Sequence, residues 1–577
     1  MRRVDDHKKE CLWDRWYFIK GRRRKRLEKG WSGVFRRFLL EELPIEVFAS
    51  HFDESMGRPT KELRTMAGVL LLQETLDLSD EEVTEALAFD ERWHYALDIH
   101  GEGDSDKYVC ERTVRTYREM AIEKGVDREM FGRLTEKLRK AFGVDCRKQR
   151  LDSTHIRSNM RKLRRGEIMA RVIAKFLKNL RRRDRKDFEN RVGKELAERY
   201  EKGEGSGCFS RVKPSEIGRT VRRMAEDLLW LVERFAGDEG VRRMSSYRLL
   251  ERVLEEQCEV IGGEGEEKRV EMKKASEVAA DTLQNPSDPD ATYDKHKGQG
   301  YQVQIMETYQ EEEGEENGGK KKPDLITFVD AEPAHKSDTE ALGRAMESTR
   351  ERGCQPEEIL ADGGYGSDAN VERAAEEHVE LIAPANKGTA DDGKMHLEDF
   401  EIDEESGEVV GCPAGEKPTK TGRTPKGQFT ASFDREKCGA CPMGSRCPVR
   451  IGPRRAWLKP YTAKKMRLAR RRAKERSAEF REKYRWRAGI EATMSRYKSQ
   501  MGAGRLRVRG MRAVRYRARM KALGLNILRC AQVAADASKL LFSTYFGRRS
   551  HGVAGAARWL SRLSGFLVAE RARTWVQ

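Results

Sequence analysis

The chain has 577 residues, 37% of them hydrophobic and 37% charged, with a formal net charge of +18. A chain of this length holds several cores rather than one, and so large a basic excess points to an anionic partner, nucleic acid first among them. The sequence has no run of 18 or more apolar residues, which excludes a membrane-spanning helix, and its basic start lacks the apolar stretch of a secretory signal, so the expected location is the cytoplasm, with no membrane partner.

Residues 1–47 form a basic segment containing Trp13, Trp16 and Trp31, and their pattern assigns no fold. Residues 48–145 read as helices. Leu63, Met66, Val69 and Leu70 recur at helical spacing, and Ser79 with Glu82 fits a capping box that opens a second helix through Val83, Ala86 and Leu87. Such a module serves DNA binding or, equally, dimerisation and packing. Residues 149–156 alternate as a short strand does, and the helical pattern then returns from 160 to about 261. Strands are expected at 301–306, 325–329 and 381–383, with an acidic, Gly-rich hairpin loop at 311–319 and helices near 338–352 and 370–377. The sum is a mixed α/β core of about five strands with a large helical insert. A turn-rich second insert follows, then long basic helices from 463 to about 534 broken by a loop at 502–510.

Two aspartates end expected strands. Asp152 lies in Leu-Asp-Ser-Thr and Asp362 in Ala-Asp-Gly-Gly-Tyr-Gly-Ser. A strand-terminal Asp followed by Gly presents a carboxylate at a sheet edge and lets a substrate approach the backbone closely, although the same pair is also an ordinary turn. A third acid, Glu491, belongs to Tyr484-x2-Arg487-x3-Glu491-x6-Lys498. At about 100° per residue, these four side chains fall within an arc of about 60° along roughly 21 Å of a continuous helix. Trp486 falls on the opposite face, where it reads as core. Residues 461–520 carry 21 Lys/Arg against 4 Asp/Glu, a net of +17, so nearly all the excess charge sits in one block, as a phosphate-binding surface requires. His155 is read as a local hydrogen-bonding residue.

The 11 cysteines are expected to be reduced in a cytoplasmic setting. Cys438-x2-Cys441-x5-Cys447, with Cys412 upstream, has the small residues of a metal knuckle and suits one structural Zn²⁺. The remaining cysteines are read as scattered and inert.

Together, the Asp152, Asp362 and Tyr484–Lys498 motifs resemble the DDE transposases of prokaryotic insertion sequences, in the branch with the Tyr-Arg-Glu-Lys signature. The resemblance spans about residues 48–540 and takes in Gly-Tyr-Gln-Val-Gln at 300–304 and the Cys-bearing insert. It implies an α/β catalytic core, a ribonuclease H-like mixed sheet with helical insertions, preceded by an all-α N-terminal domain. The implied division is 1–47 basic segment, 48–145 helical transposase domain, 146–159 with 271–387 core strands, 160–270 helical insertion, 388–456 Cys-rich insertion, 457–540 basic helices bearing the Glu, and 541–577 tail.

The resemblance further implies that Asp152, Asp362 and Glu491 hold two Mg²⁺ or Mn²⁺ ions and that Tyr484, Arg487 and Lys498 grip DNA. The implied activity is metal-dependent cleavage and strand transfer at element ends, in cut-and-paste transposition, by a homodimer on DNA ends and target DNA. A catalytically silent DNA-binding regulator of transposase descent, and a nuclease-fold protein acting on RNA, are the other readings.

Overall fold

The computed structural model describes residues 1–5, 7, 14–201, 212–262, 268–311, 322–385, 393–403 and 405–547. The expected acidic loop at 311–319 and the tail at 541–577 lie largely outside them.

Five strands build the central sheet: β1 (Lys148–Arg157), β2 (Gly298–Thr308), β3 (Ile326–Pro333), β4 (Glu358–Ala361) and β5 (Glu380–Ile382). Their order is β3-β2-β1-β4-β5, and a three-residue strand, Thr292–Asp294, shares the outer edge of β2 with β3. β2 runs antiparallel to β1 and β3, whereas β1, β4 and β5 are mutually parallel. Parallel neighbours need crossover connections. The β4–β5 crossover is a helix, Asp368–Glu376, and the β3–β4 link carries another, Ala341–Glu351.

Both faces of the sheet are covered, as parallel strands require. On one face Leu151 and Ile359 pack with Leu342, Met346 and Ala374 of the two crossover helices. On the other, Ile156, Val303, Ile305 and Ile326 join a larger core shared with the C-terminal helix Met511–Gly547 and with the N-terminal helices Leu63–Leu76, Glu111–Lys124 and Val126–Phe142. The N-terminal helices therefore share a core with the central sheet rather than forming a separate ball. The Ser79–Glu82 capping box closes as the sequence predicts: Ser79 accepts from the Glu82 amide and Glu82 from the Ser79 amide.

Between β1 and β2, the helices Arg165–Arg183, Ile217–Phe235 and Ser245–Gln257 bury a core of their own. The helical pattern ends earlier than expected. Cys258–Ile261 is a strand paired with Arg269–Met272, which suits β-branched Val260 and Ile261. Residues 420–457 form a small four-stranded sheet around Phe429, Phe433 and Ala456. Among the described residues no helix is long and apolar enough to cross a membrane.

The expectation that all thiols are reduced and inert is overturned at one pair. Cys146 and Cys354 form a disulfide with Cα atoms 5.3 Å apart. Each lies a few residues before a strand, β1 or β4, and the parallel pairing of those strands brings the two cysteines together. Spacing could not show this across 208 residues.

Candidate active site

The β1–β4 register aligns Leu151 with Ala361. The next residues are Asp152 and Asp362: Asp362 follows the end of β4 as expected, whereas Asp152 lies inside β1, which runs on to Arg157, so the two candidate acids stand side by side where the β1–β4 pairing stops. Asp152 is largely buried, and its Oδ1 accepts the Ser153 amide at 2.7 Å. Asp362 is the more open of the two and caps the short turn Gly363–Tyr365. Of the glycines after it, Gly366 has a steric cause. A Cβ on Gly366 would lie 2.3 Å from the Pro384 carbonyl oxygen, and Arg471 holds the turn by donating to the Gly366 and Ala383 carbonyls.

Glu491 arrives on a different element. The helices Ala463–Glu475 and Ala478–Tyr484 lead into a 3-10 turn, Arg485–Ala488, and then the helix Gly489–Ser499. The expected continuous helix from Tyr484 to Lys498 is therefore broken. The break follows from a contact distant in sequence: Arg150 of β1 donates to the Trp486 carbonyl at 2.9 Å, and a Cβ on Gly489 would lie 2.0 Å from the Arg150 guanidinium. Arg150 in turn bonds Glu307, which is fully buried and also accepts from Thr493 at 2.7 Å and Arg529 at 2.8 Å. Burial alone would raise the Glu307 carboxyl, but the fields of Arg529 and Arg150 and the Thr493 and Arg150 hydrogen bonds hold it below the ordinary range. This charged hub fixes the Glu491 helix against the sheet.

The three acids meet on one side chain. Arg487 reaches Asp152 at 2.8 Å, Glu491 at 3.2 Å and Asp362 at 3.8 Å. Its own burial opposes the charge, yet Asp152, Tyr484, Asp362 and Glu491 outweigh that and raise its affinity for the proton. Desolvation raises the Asp152 carboxyl above the ordinary range; Arg487 opposes the rise, while Asp362 and Asp338 add to it. Among the described residues no group of three or more His, Cys, Asp or Glu side chains is arranged to hold a metal ion. At the acids the reason is visible, because a guanidinium lies between the carboxylates. That one cation reaches all three shows that the donor set lies close enough to share a charge.

The other expected residues border the same place. Tyr484 is half-buried, stacked on Phe480 with centroids 5.4 Å apart, in the fields of Arg487, Asp362 and Asp152. Lys498 is exposed, and its ammonium loses proton affinity through burial of its stem and the fields of Lys297 and Arg157. Trp486 packs against Tyr309, Leu360 and Ile382, in the core role expected of it. His155 departs from expectation: both ring nitrogens are buried without a hydrogen-bond partner among the described residues, and burial lowers its proton affinity.

The sequence reading missed a second layer. Gln302 and Gln304 alternate on β2 and both donate to Asp338 Oδ1, at 2.6 and 2.9 Å. Gln304 also donates to Glu332 at 2.8 Å and accepts the buried Tyr365 hydroxyl. The only signal was the Gln-x-Gln period of a strand, which says nothing of its partners.

Cys412, Cys438, Cys441 and Cys447 line one cavity with Phe433 and Met443. Tight turns shape it: the Gly415 amide donates to the Cys412 carbonyl at 2.8 Å and the Gly444 amide to the Cys441 carbonyl at 3.0 Å. Burial raises the Cys438 thiol, and the three neighbouring thiols raise it further.

Residues 411–531 match the family described as a transposase DDE domain, and residues 31–110 match one described as a transposase domain. The first match contains Glu491 and the four cysteines; Asp152 and Asp362 lie outside both. The chain is thus a transposase. With the resemblance in its motifs, these domains are consistent with a DDE transposase of insertion sequences. No curated protein matches it.

Proposed function

We propose that this transposase cleaves DNA strands at the ends of its element and joins them to target DNA, in cut-and-paste transposition, with Asp152, Asp362 and Glu491 as its catalytic acids. The observation that carries the reading is the convergence of these acids, from two adjacent strands and one helix, on the single guanidinium of Arg487. The sheet order β3-β2-β1-β4-β5 supports a ribonuclease H-like core. The chain divides in this reading as its sequence suggests, with the pieces at 146–159, 271–387 and 457–540 completing that core.

The three acids would hold two Mg²⁺ or Mn²⁺ ions, hard cations that take carboxylate oxygens. When bound there, such ions supply an activated water or 3′-hydroxyl and stabilise the leaving oxygen. The chain's own residues do the rest. The Ser153 amide orients Asp152, and Arg487 holds the acids together before DNA arrives. On DNA binding, Arg487 turns from the acids to a backbone phosphate, which its forked donors fit, and Tyr484 and Lys498 flank that phosphate. Cys412, Cys438, Cys441 and Cys447 would hold one structural Zn²⁺, since four thiols facing one cavity suit its tetrahedral preference. The working form is a homodimer on two DNA ends in the cytoplasm.

The test is Asp362→Asn. It should abolish strand cleavage while binding of duplex DNA, measured by fluorescence anisotropy, stays within twofold of the parent. Cleavage at the parental rate would defeat the assignment.

A further inference from the structure

Beside the acids lies a set of exposed cations that form no ion pair among the described residues. Arg157 at the end of β1, Lys297 in the turn before β2, and Lys498 are all exposed and make no ion pair among the described residues. Three placements bring them together. Gly300 lies opposite Arg157 in the β1–β2 register and follows the Lys297 turn. The Arg157 amide donates to the Gly504 carbonyl at 3.1 Å. The Gly504 amide in turn donates to the Lys498 carbonyl at 3.3 Å.

From Gly504 the chain continues as Arg505-Leu506-Arg507-Val508-Arg509. Leu506 is buried and Val508 packs against the main core, whereas all three arginines are exposed. Arg505 donates to Asn159 at 2.9 Å, and none of the three forms an ion pair among the described residues. The segment is not a loose loop. Asn159 donates to the Leu506 carbonyl, the Gly510 amide donates to buried Asp288 at 3.1 Å, and the Met511 amide donates to Asp290 at 2.7 Å. Its arginines are therefore presented at fixed positions by apolar teeth turned inward. Uncompensated cations held apart by the fold repel one another, and a polyanion relieves that repulsion.

We propose that Arg505, Arg507 and Arg509 form, with Arg157, Lys297 and Lys498, a track that binds the phosphate backbone of duplex DNA and leads it away from the acids past the end of β1. The proposal rests on the catalytic reading for its direction only. The track contacts backbone, so it positions the duplex without reading bases.

The experiment measures binding of a random-sequence duplex across a salt series without added Mg²⁺ or Mn²⁺, where no cleavage occurs, so that it stands whether or not the acids are catalytic. Each lost phosphate contact on duplex DNA removes about 0.9 from the slope of log K against log salt. The triple variant Arg505→Ala, Arg507→Ala, Arg509→Ala should lower the slope by roughly 2.7. The matching Lys triple should keep most of the slope. A control of equal charge change, Lys417→Ala, Lys420→Ala, Lys426→Ala, should change it by less than one contact's worth. The track is overturned if the Ala triple changes the slope no more than the control. It is equally overturned if the Lys triple loses as much as the Ala triple, or if duplex DNA binding survives while duplex RNA binding is lost. A wrong catalytic reading would leave these slopes intact and show only as cleavage by Asp362→Asn.

Discussion

Arg487→Ala should tighten divalent metal binding in the absence of DNA. The guanidinium bonds Asp152, whose side chain is 15% exposed, at 2.8 Å, and Glu491, 67% exposed, at 3.2 Å. A charge-assisted bond to a mostly buried carboxylate contributes about 1.5–3 kcal/mol and an exposed pair about 0–1 kcal/mol. A metal ion entering the parent protein must break these bonds. Their removal should favour Mn²⁺ by about 2 kcal/mol, roughly 30-fold in Kd. The gain depends on pH with a definite sign. Arg487 now opposes the upward shift that burial imposes on Asp152, so the variant's Asp152 holds its proton to higher pH. The gain is therefore full near pH 8 and shrinks on acidification as protons compete with metal. Isothermal calorimetry with Mn²⁺ at pH 8 and pH 6 reads both effects. Equal or weaker binding by the variant at pH 8 would refute the picture of a cation already seated among the acids.

Elemental analysis of the purified chain should find one zinc, lost together in Cys438→Ser and Cys441→Ser; a metal-free preparation that melts at the same temperature would dismiss the cysteine site. Cys146→Ser with Cys354→Ser should lower stability by about 2–4 kcal/mol, because the disulfide closes a long loop. Since it ties the starts of the strand that carries Asp152 and the strand that leads into Asp362, Mn²⁺ affinity should fall as well, and unchanged melting would show that the link carries no load.

Much of the scaffold was legible because its signals are local. The Ser79 and Glu82 pair specifies its own cap, and alternation over residues 149–156 announces the central strand. Asp362 could be placed at a strand end for the same reason, whereas Asp152, also read as strand-terminal, lies inside a strand that continues to Arg157. What escaped depends on partners far along the chain. The arithmetic that aligned Tyr484, Arg487, Glu491 and Lys498 assumes an unbroken α-helix, and the 3-10 turn at Arg485–Ala488 is set by Arg150, 336 residues from Trp486. Arg487 looked like a DNA ligand on an open face, because nothing in its neighbours foretells that Asp152 would be its nearest partner. Asp338 carries no motif at all, and its place beside the acids comes from two glutamines on another strand. The Cys146–Cys354 bond likewise follows from strand register.

The central claim is that Asp152, Asp362 and Glu491 together form one metal centre on DNA. A crystal of the chain with duplex DNA and Mn²⁺ tests it most directly, through the anomalous signal of manganese. The account predicts two peaks about 3.5–4 Å apart between the three carboxylates, with Arg487 turned away onto a phosphate. Manganese peaks elsewhere, or a guanidinium still bonded to Asp152 in the DNA complex, would contradict it.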